Sequence, residues 1–148
     1  MKLTRRVQFH PALFQIVPVA NVLFLVFMLL FLRAALGPKS ACVAFLFAIV
    51  PSEQFMTVTY PPWGYGEIMA SCAATLWLAT LWRREGLLWQ RLCFGLSAGI
   101  GLWFSLQTLM VVLPAIAWIA VGRRRMTLKE SIPALAAAVV GALPLIVV

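Results

Sequence analysis

The chain has 148 residues, 64% of them hydrophobic, against about 45–50% in an ordinary soluble domain. A core of this size cannot hide so much apolar surface from water, so part of the surroundings must be lipid. The net charge is +8, but the basic residues fall in short clusters between apolar runs rather than along one soluble face. That excludes a nucleic-acid binder and marks the clusters as topology signals beside anionic headgroups.

The apolar runs follow in chain order. The first, Leu13 to Leu32, meets the roughly 20 residues a helix needs to span. It follows Lys2, Arg5 and Arg6, as a secretory signal would, but its length exceeds the roughly 7–15 residues of such a segment, so it reads as a retained span. Pro18 and Asn21 in its early turns predict a kink and an interhelical hydrogen bond. The second run, Ser40 to Val50, is short. It either spans, with Pro38 starting the helix, or dips in and returns. The third runs from about Gly66 to Trp82, the fourth from about Leu87 to Phe104, and the fifth from about Leu106 to Val121. A break is predicted within "WFSLQ", residues 103–107. The sixth runs from Ile132 to Val148. The fold class is therefore all-α: a polytopic transmembrane bundle of five to six membrane helices, forming one domain over 1–148.

Counting Lys and Arg gives two orientations. If all six runs cross, nine basic residues are cytoplasmic and Lys2, Arg5 and Arg6 lie outside. If the second run is re-entrant, the N-terminus is inside and ten lie in the cytoplasm. Both place residues 51–65 outside and the Arg83–Arg91 and Arg123–Lys129 clusters inside. The expected location is the plasma (inner) membrane.

Chemistry is sparsely provided. The acids are Glu53, Glu67, Glu85 and Glu130, there is no Asp, and His10 is the one histidine. A nucleophile triad needs a base and an orienting acid, and a phosphate loop needs a soluble strand–loop–helix setting; neither is available. Cys42, Cys72 and Cys93 share no metal-type spacing and read as buried thiols within apolar runs. No metal site is expected from the residues, and His10 reads as an interfacial polar group. "GLSAG" (95–99) puts Gly95 and Gly99 on one face, where a helix can approach closely, within the chain or from a partner.

The irregular stretch "PSEQFMTVTYPPWGYGE" (51–67) stands apart. Its Pro-Pro pair is extended, Gly64 and Gly66 allow a turn, and Tyr60, Trp63 and Tyr65 suit the headgroup layer. Glu67 falls in the first turn of the next helix, where the dipole favours a negative charge. The stretch reads either as a turn, aromatic belt and helix start, or as an outer loop over a substrate with a polar headgroup.

"LRAALGPKSACVAFLFAIVP", "WGYGEIMASCAATLWLA" and "GLSAGIGLWFSLQTLMVVLPAIAWIA" occur in this order over roughly residues 30–121. Together they resemble membrane glycosyltransferases of the GT-C superfamily, which includes the protein mannosyltransferase and aminoarabinose transferase families. The resemblance implies transfer of a sugar from a polyprenyl-phosphate donor to an acceptor on the outer face. It favours the six-crossing arrangement and, by analogy, allows a divalent cation; no other cofactor is evident. In that family the catalytic acid, usually Asp, lies in the first external loop, and no residue here matches it. The catalytic residue is therefore unassigned, and the implied protein is an internal piece or remnant of a longer enzyme, inactive alone. Glu67, Tyr65, Trp63 and Glu53 are the candidate substrate contacts. The alternative is a small non-catalytic membrane subunit or transport component packed against a larger complex. The lack of intramembrane charged pairs argues against an ion carrier.

Overall fold

Helices account for nearly all of the computed structural model, which describes residues 11–49, 65–122 and 128–147. Among the described residues there are six: α1 (Pro11–Leu36), α2 (Pro38–Ile49), α3 (Tyr65–Arg84), α4 (Leu88–Phe104), α5 (Leu109–Gly122) and α6 (Leu128–Val147). A 3-10 turn, Leu106–Thr108, joins α4 to α5. The all-α class expected from the sequence is what the chain adopts.

Local chemistry explains the boundaries. α1 runs through Pro18 as one helix and ends before Gly37, whose φ of 85° suits only glycine without strain. α2 then begins on Pro38, a residue pre-set for a first helical turn. Gly86, with φ 71°, does the same between α3 and α4. The break expected within 103–107 falls at Ser105, which is extended. Its Oγ accepts from the Gln107 N–H, and Thr108 Oγ1 donates back to the Gly101 carbonyl at 2.9 Å. The turn thereby satisfies backbone groups that the end of α4 leaves open.

Pairwise contacts fix the helix directions. Asn21 of α1 lies over Gly66 of α3, Phe27 meets Trp77 with ring centroids 5.8 Å apart, and Arg84 donates to the Ala34 carbonyl. Numbers rise together along both helices, so α1 and α3 are parallel. Ser71 pairs with Ser97, and the Trp82 and Phe94 rings meet edge-on at 5.2 Å, which makes α4 antiparallel to α3. Gly122 at the end of α5 abuts Arg83 at the end of α3. A re-entrant second run would have left α1 and α3 antiparallel. Their parallel course puts the end of α1 and the start of α3 at opposite ends of the bundle. α3 sits centrally, touching α1, α4 and α5, while α2 packs on α1 and α6 on α4.

The core is built from small side chains. Ala20, Ala41, Ala70, Ala73, Ala74, Ala79, Ala98, Ala115 and Ala134 are buried, whereas Leu46, Met110, Leu113, Val121 and Leu135 are each at least 60% exposed. Larger buried groups form two clusters, one around Trp82, Phe94 and Ile119 and one around Phe24. Buried hydroxyls tie α3 to α4: Ser71 Oγ donates to the Ser97 carbonyl at 2.7 Å, Ser97 Oγ donates to the Ser71 carbonyl at 3.2 Å, and Thr75 Oγ1 lies 3.1 Å from Ser97 Oγ.

The expectation of five to six membrane helices holds only in part. Among the described residues, one helix, Pro18–Leu36, is long and apolar enough to span by length and composition. α2 and α5 have 12 and 14 residues, and α3 carries hydroxyls, tryptophans and Glu67 that dilute its apolar character. The thiols also differ from expectation: Cys42 and Cys93 are exposed and Cys72 is half-buried. An apolar run says nothing about which of its faces turns inward when the outside is apolar as well.

Candidate functional site

The described charges are strongly polarised along the bundle. Arg33, Lys39, Arg83, Arg84, Glu85, Arg91, Lys129 and Glu130 all lie at the end where α1, α3 and α5 finish and α2, α4 and α6 start. Glu67 is the one described charged residue at the opposite end.

At the basic end, several of the charges are engaged with the fold, although Arg91 Nε is buried without a hydrogen-bond partner. Arg83 stacks on Trp118, its Cζ 4.5 Å from the ring centroid. Arg91 donates to the Gly86 carbonyl at 2.7 Å and lies 3.7 Å from Glu130. Gln90 is fully buried. Its Oε1 accepts from the Leu87 N–H at 3.0 Å, and its Nε2 donates to Glu85 at 2.5 Å. It closes the α3–α4 turn in the manner of a helix-capping glutamine. A Gln three residues after the expected start of a helix at Leu87 was a readable capping signal.

Between α1, α3 and α4 runs a groove of about 760 Å³, within the roughly 300–1,000 Å³ range of small-molecule sites. The parallel course of α1 and α3, with α4 antiparallel beside them, leaves a channel along all three. Its walls are Val19, Leu23 and Phe27 on α1, Ala70, Ala74 and Trp77 on α3, and Trp89, Leu96, Ile100 and Phe104 on α4. Along α3 it extends from Glu67 to Leu78, about 16 Å at 1.5 Å per residue. Val19, Leu23, Leu96 and Ile100 are also exposed, so the groove opens sideways from the bundle.

Polar groups on its wall are few. Ser71 and Ser97 are held by the α3–α4 hydrogen bonds already described. Glu67 is different: its Oε2 is buried and has no hydrogen-bond partner. A buried acceptor left unmade costs about 1–3 kcal/mol, more for a charged group. The groove is thus an apolar slot with Glu67 at the end away from the described basic residues, its Oε2 enclosed by the protein.

Of the residues singled out from sequence, Glu67 lines the groove. Tyr65, in the same helical turn, is exposed and does not line it. Trp63 and Glu53 lie outside the described residues. Gly95 and Gly99 face α6 of the same chain, where an added Cβ would collide with the backbone of Ala134 and Ala138. That face is filled from within the chain, which leaves no room there for a partner's helix. The groove wall itself, Trp77, Leu96 and Ile100 above all, was not legible from the sequence. Among the described residues no three His, Cys, Asp or Glu come together to hold a metal ion. A hard divalent cation takes six or more oxygen ligands or keeps several waters around carboxylates, so Glu67 alone does not fit one. No family model matches the chain, and neither a curated protein nor a solved structure gives a match.

Proposed function

We propose that the chain is a membrane-embedded helical part of a GT-C-like glycosyltransferase, and that its contribution is to hold the lipid-linked sugar donor. The observation that carries this reading is the apolar groove between α1, α3 and α4 with Glu67 at one end. An isoprenoid chain suits the walls, and the Glu67 side chain, which lines one end of the groove, offers an acceptor for sugar hydroxyls. Tyr65, in the same turn, extends the polar rim; Trp63 and Glu53 belong to the outer segment that precedes it.

Two further features favour a bilayer setting. Small residues inside and large apolar ones outside are what helix packing in lipid favours, because close backbone approach replaces the hydrophobic drive between helices. The polarised charge matches the positive-inside rule, with the basic end cytoplasmic and residues 51–65 outside. α3, with 20 residues, is about 30 Å long, close to the hydrocarbon thickness.

Glu67 serves here as a contact and not as the base. General-base catalysis needs a group within reach of the proton it removes, and the described residues bring no second acid or histidine to the groove. The test is ligand stabilisation of the purified protein in nanodiscs. A polyprenyl-phosphate hexose raises the unfolding midpoint with concentration, a stabilisation of about 2.7 kcal/mol at a hundredfold excess over Kd. No rise, or the same rise with the free polyprenol, contradicts the reading. The packing-subunit alternative predicts no rise with either lipid.

A further inference from the structure

The cations at the basic end are unevenly matched by acids. The two described acids there, Glu85 and Glu130, are spent on α4: Glu85 accepts from Gln90, and Glu130 lies 3.7 Å from Arg91. Toward α1 and α2, Arg33, Lys39 and Arg84 are exposed, and none of them forms an ion pair with a described acid. The three gather around one turn. Arg33 and Lys39 flank Gly37, the left-handed link between α1 and α2. Arg84 reaches across from α3 and donates to the carbonyl of Ala34, the chain neighbour of Arg33. That bond uses one of the five N–H donors of the guanidinium and leaves the others open. Two of these cations also end exposed apolar stripes. Arg33 lies seven residues, about two turns, beyond the exposed Val26 on the same face of α1. Lys39 shares a face of α2 with the exposed Val43 and Leu46, at i+4 and i+7.

We infer that this turn seats one anionic phospholipid from the leaflet at the basic end. The phosphate is held among Arg33, Lys39 and Arg84, and the acyl chains lie along the exposed stripes of α1 and α2. The head is a phosphate because guanidinium groups pair geometrically with its oxygens and an ammonium adds a compact charge. The occupant is a lipid, and not a free anion or an acidic protein, because the cations stand at the ends of exposed apolar stripes. Head and chains thus find their surfaces in one place. The seat lies at the opposite end of the bundle from Glu67 and is separate from the groove. It rests on the bilayer setting proposed above and not on the sugar donor.

The full chain is taken from membranes into a neutral detergent, and bound lipid is counted by native mass spectrometry as phosphatidylglycerol or phosphatidylcholine with the same acyl chains is added. Phosphatidylglycerol is retained at least about tenfold more tightly than phosphatidylcholine, the scale of one charge-assisted hydrogen bond. Soluble glycerol phosphate in large excess does not displace it. Arg33→Gln and Lys39→Gln each weaken retention about fivefold, and together about thirtyfold, as expected for one and two basic residues beside anionic lipid. Both side chains are exposed, so the fold tolerates either change. Lys129→Gln removes an equal charge from the same end and leaves retention within about twofold, because it does not touch the seat. Equal retention of the two lipids, or an equal loss in Lys129→Gln, would overturn the inference and return these cations to a general positive surface. Displacement by glycerol phosphate would make the site one for free anions, and displacement by polyglutamate one for an acidic protein; either result overturns the lipid. Insertion is scored apart, by resistance of the chain to alkaline extraction from membranes. An extracted chain overturns the bilayer setting and the seat with it, whereas an inserted chain indifferent to head charge overturns the seat alone.

Discussion

A few side chains carry consequences far larger than their number. Gln90 is fully buried and satisfies both the Leu87 N–H and the Glu85 carboxylate. Gln90→Leu removes two hydrogen bonds, each worth about 0.5–1.5 kcal/mol, and should destabilise the protein by about 1–3 kcal/mol, read as an earlier midpoint in detergent-denaturant unfolding; an unchanged midpoint would remove Gln90 from the account of the turn. Glu67 is the reverse case, a polar group the fold leaves unsatisfied. Glu67→Gln should therefore be neutral or mildly stabilising while weakening binding of the lipid-linked sugar. Loss of stability with unchanged binding would make it a structural residue of the α3 start. Glu67 could be picked out from sequence because it is an isolated acid at a helix start, a position whose physics is local. Its neighbours in the groove could not, because they come from helices whose facing surfaces the sequence does not mark.

At the level of helices, close approach decides the packing. Gly99 of α4 and Gly141 of α6 meet so tightly that a Cβ on Gly141 would stand 2.6 Å from the Leu96 carbonyl oxygen. Gly99→Leu must push α6 away, and overpacking of this kind costs about 1–3 kcal/mol. The expected outcome is lower stability, plus faster reaction of a cysteine introduced at Ala138, which is half-buried when Gly99 is present. Retained stability with an unchanged reaction rate at Ala138 would show that α4 and α6 do not rest on this contact. Helix existence and the Ser105 break were legible, since length, Gly, Pro and Ser punctuate apolar runs by local rules. Helix faces were not. When the core is alanine-rich and the exterior is leucine- and valine-rich, both sides are apolar and the 3.6-residue periodicity nearly vanishes. That is why Cys42 and Cys93 turned out to be exposed.

For the molecule as a whole, the parallel course of α1 and α3 is the decisive geometric fact. It requires an odd number of passes from the start of α1 to the end of α3 and, with the basic residues at one end, fixes one orientation if the bundle is inserted. A single cysteine at position 5 should then react with an impermeant reagent in intact cells, and one at position 129 only after permeabilisation. The opposite pattern would reverse the assignment. Charge counting alone had left two orientations open, because Lys2, Arg5 and Arg6 weigh against the nine other basic residues in one arrangement and with most of them in the other. Helix direction, a property of tertiary contacts, separates them. The most direct measurement on the central claim is the site of photo-crosslinking by a polyprenyl-phosphate hexose bearing a photoreactive group on its first isoprene units. The groove predicts adducts on Leu23, Trp77, Leu96 and their neighbours, reduced by Glu67→Gln. Adducts spread over the outward faces of α5 and α6, indifferent to Glu67, would contradict it.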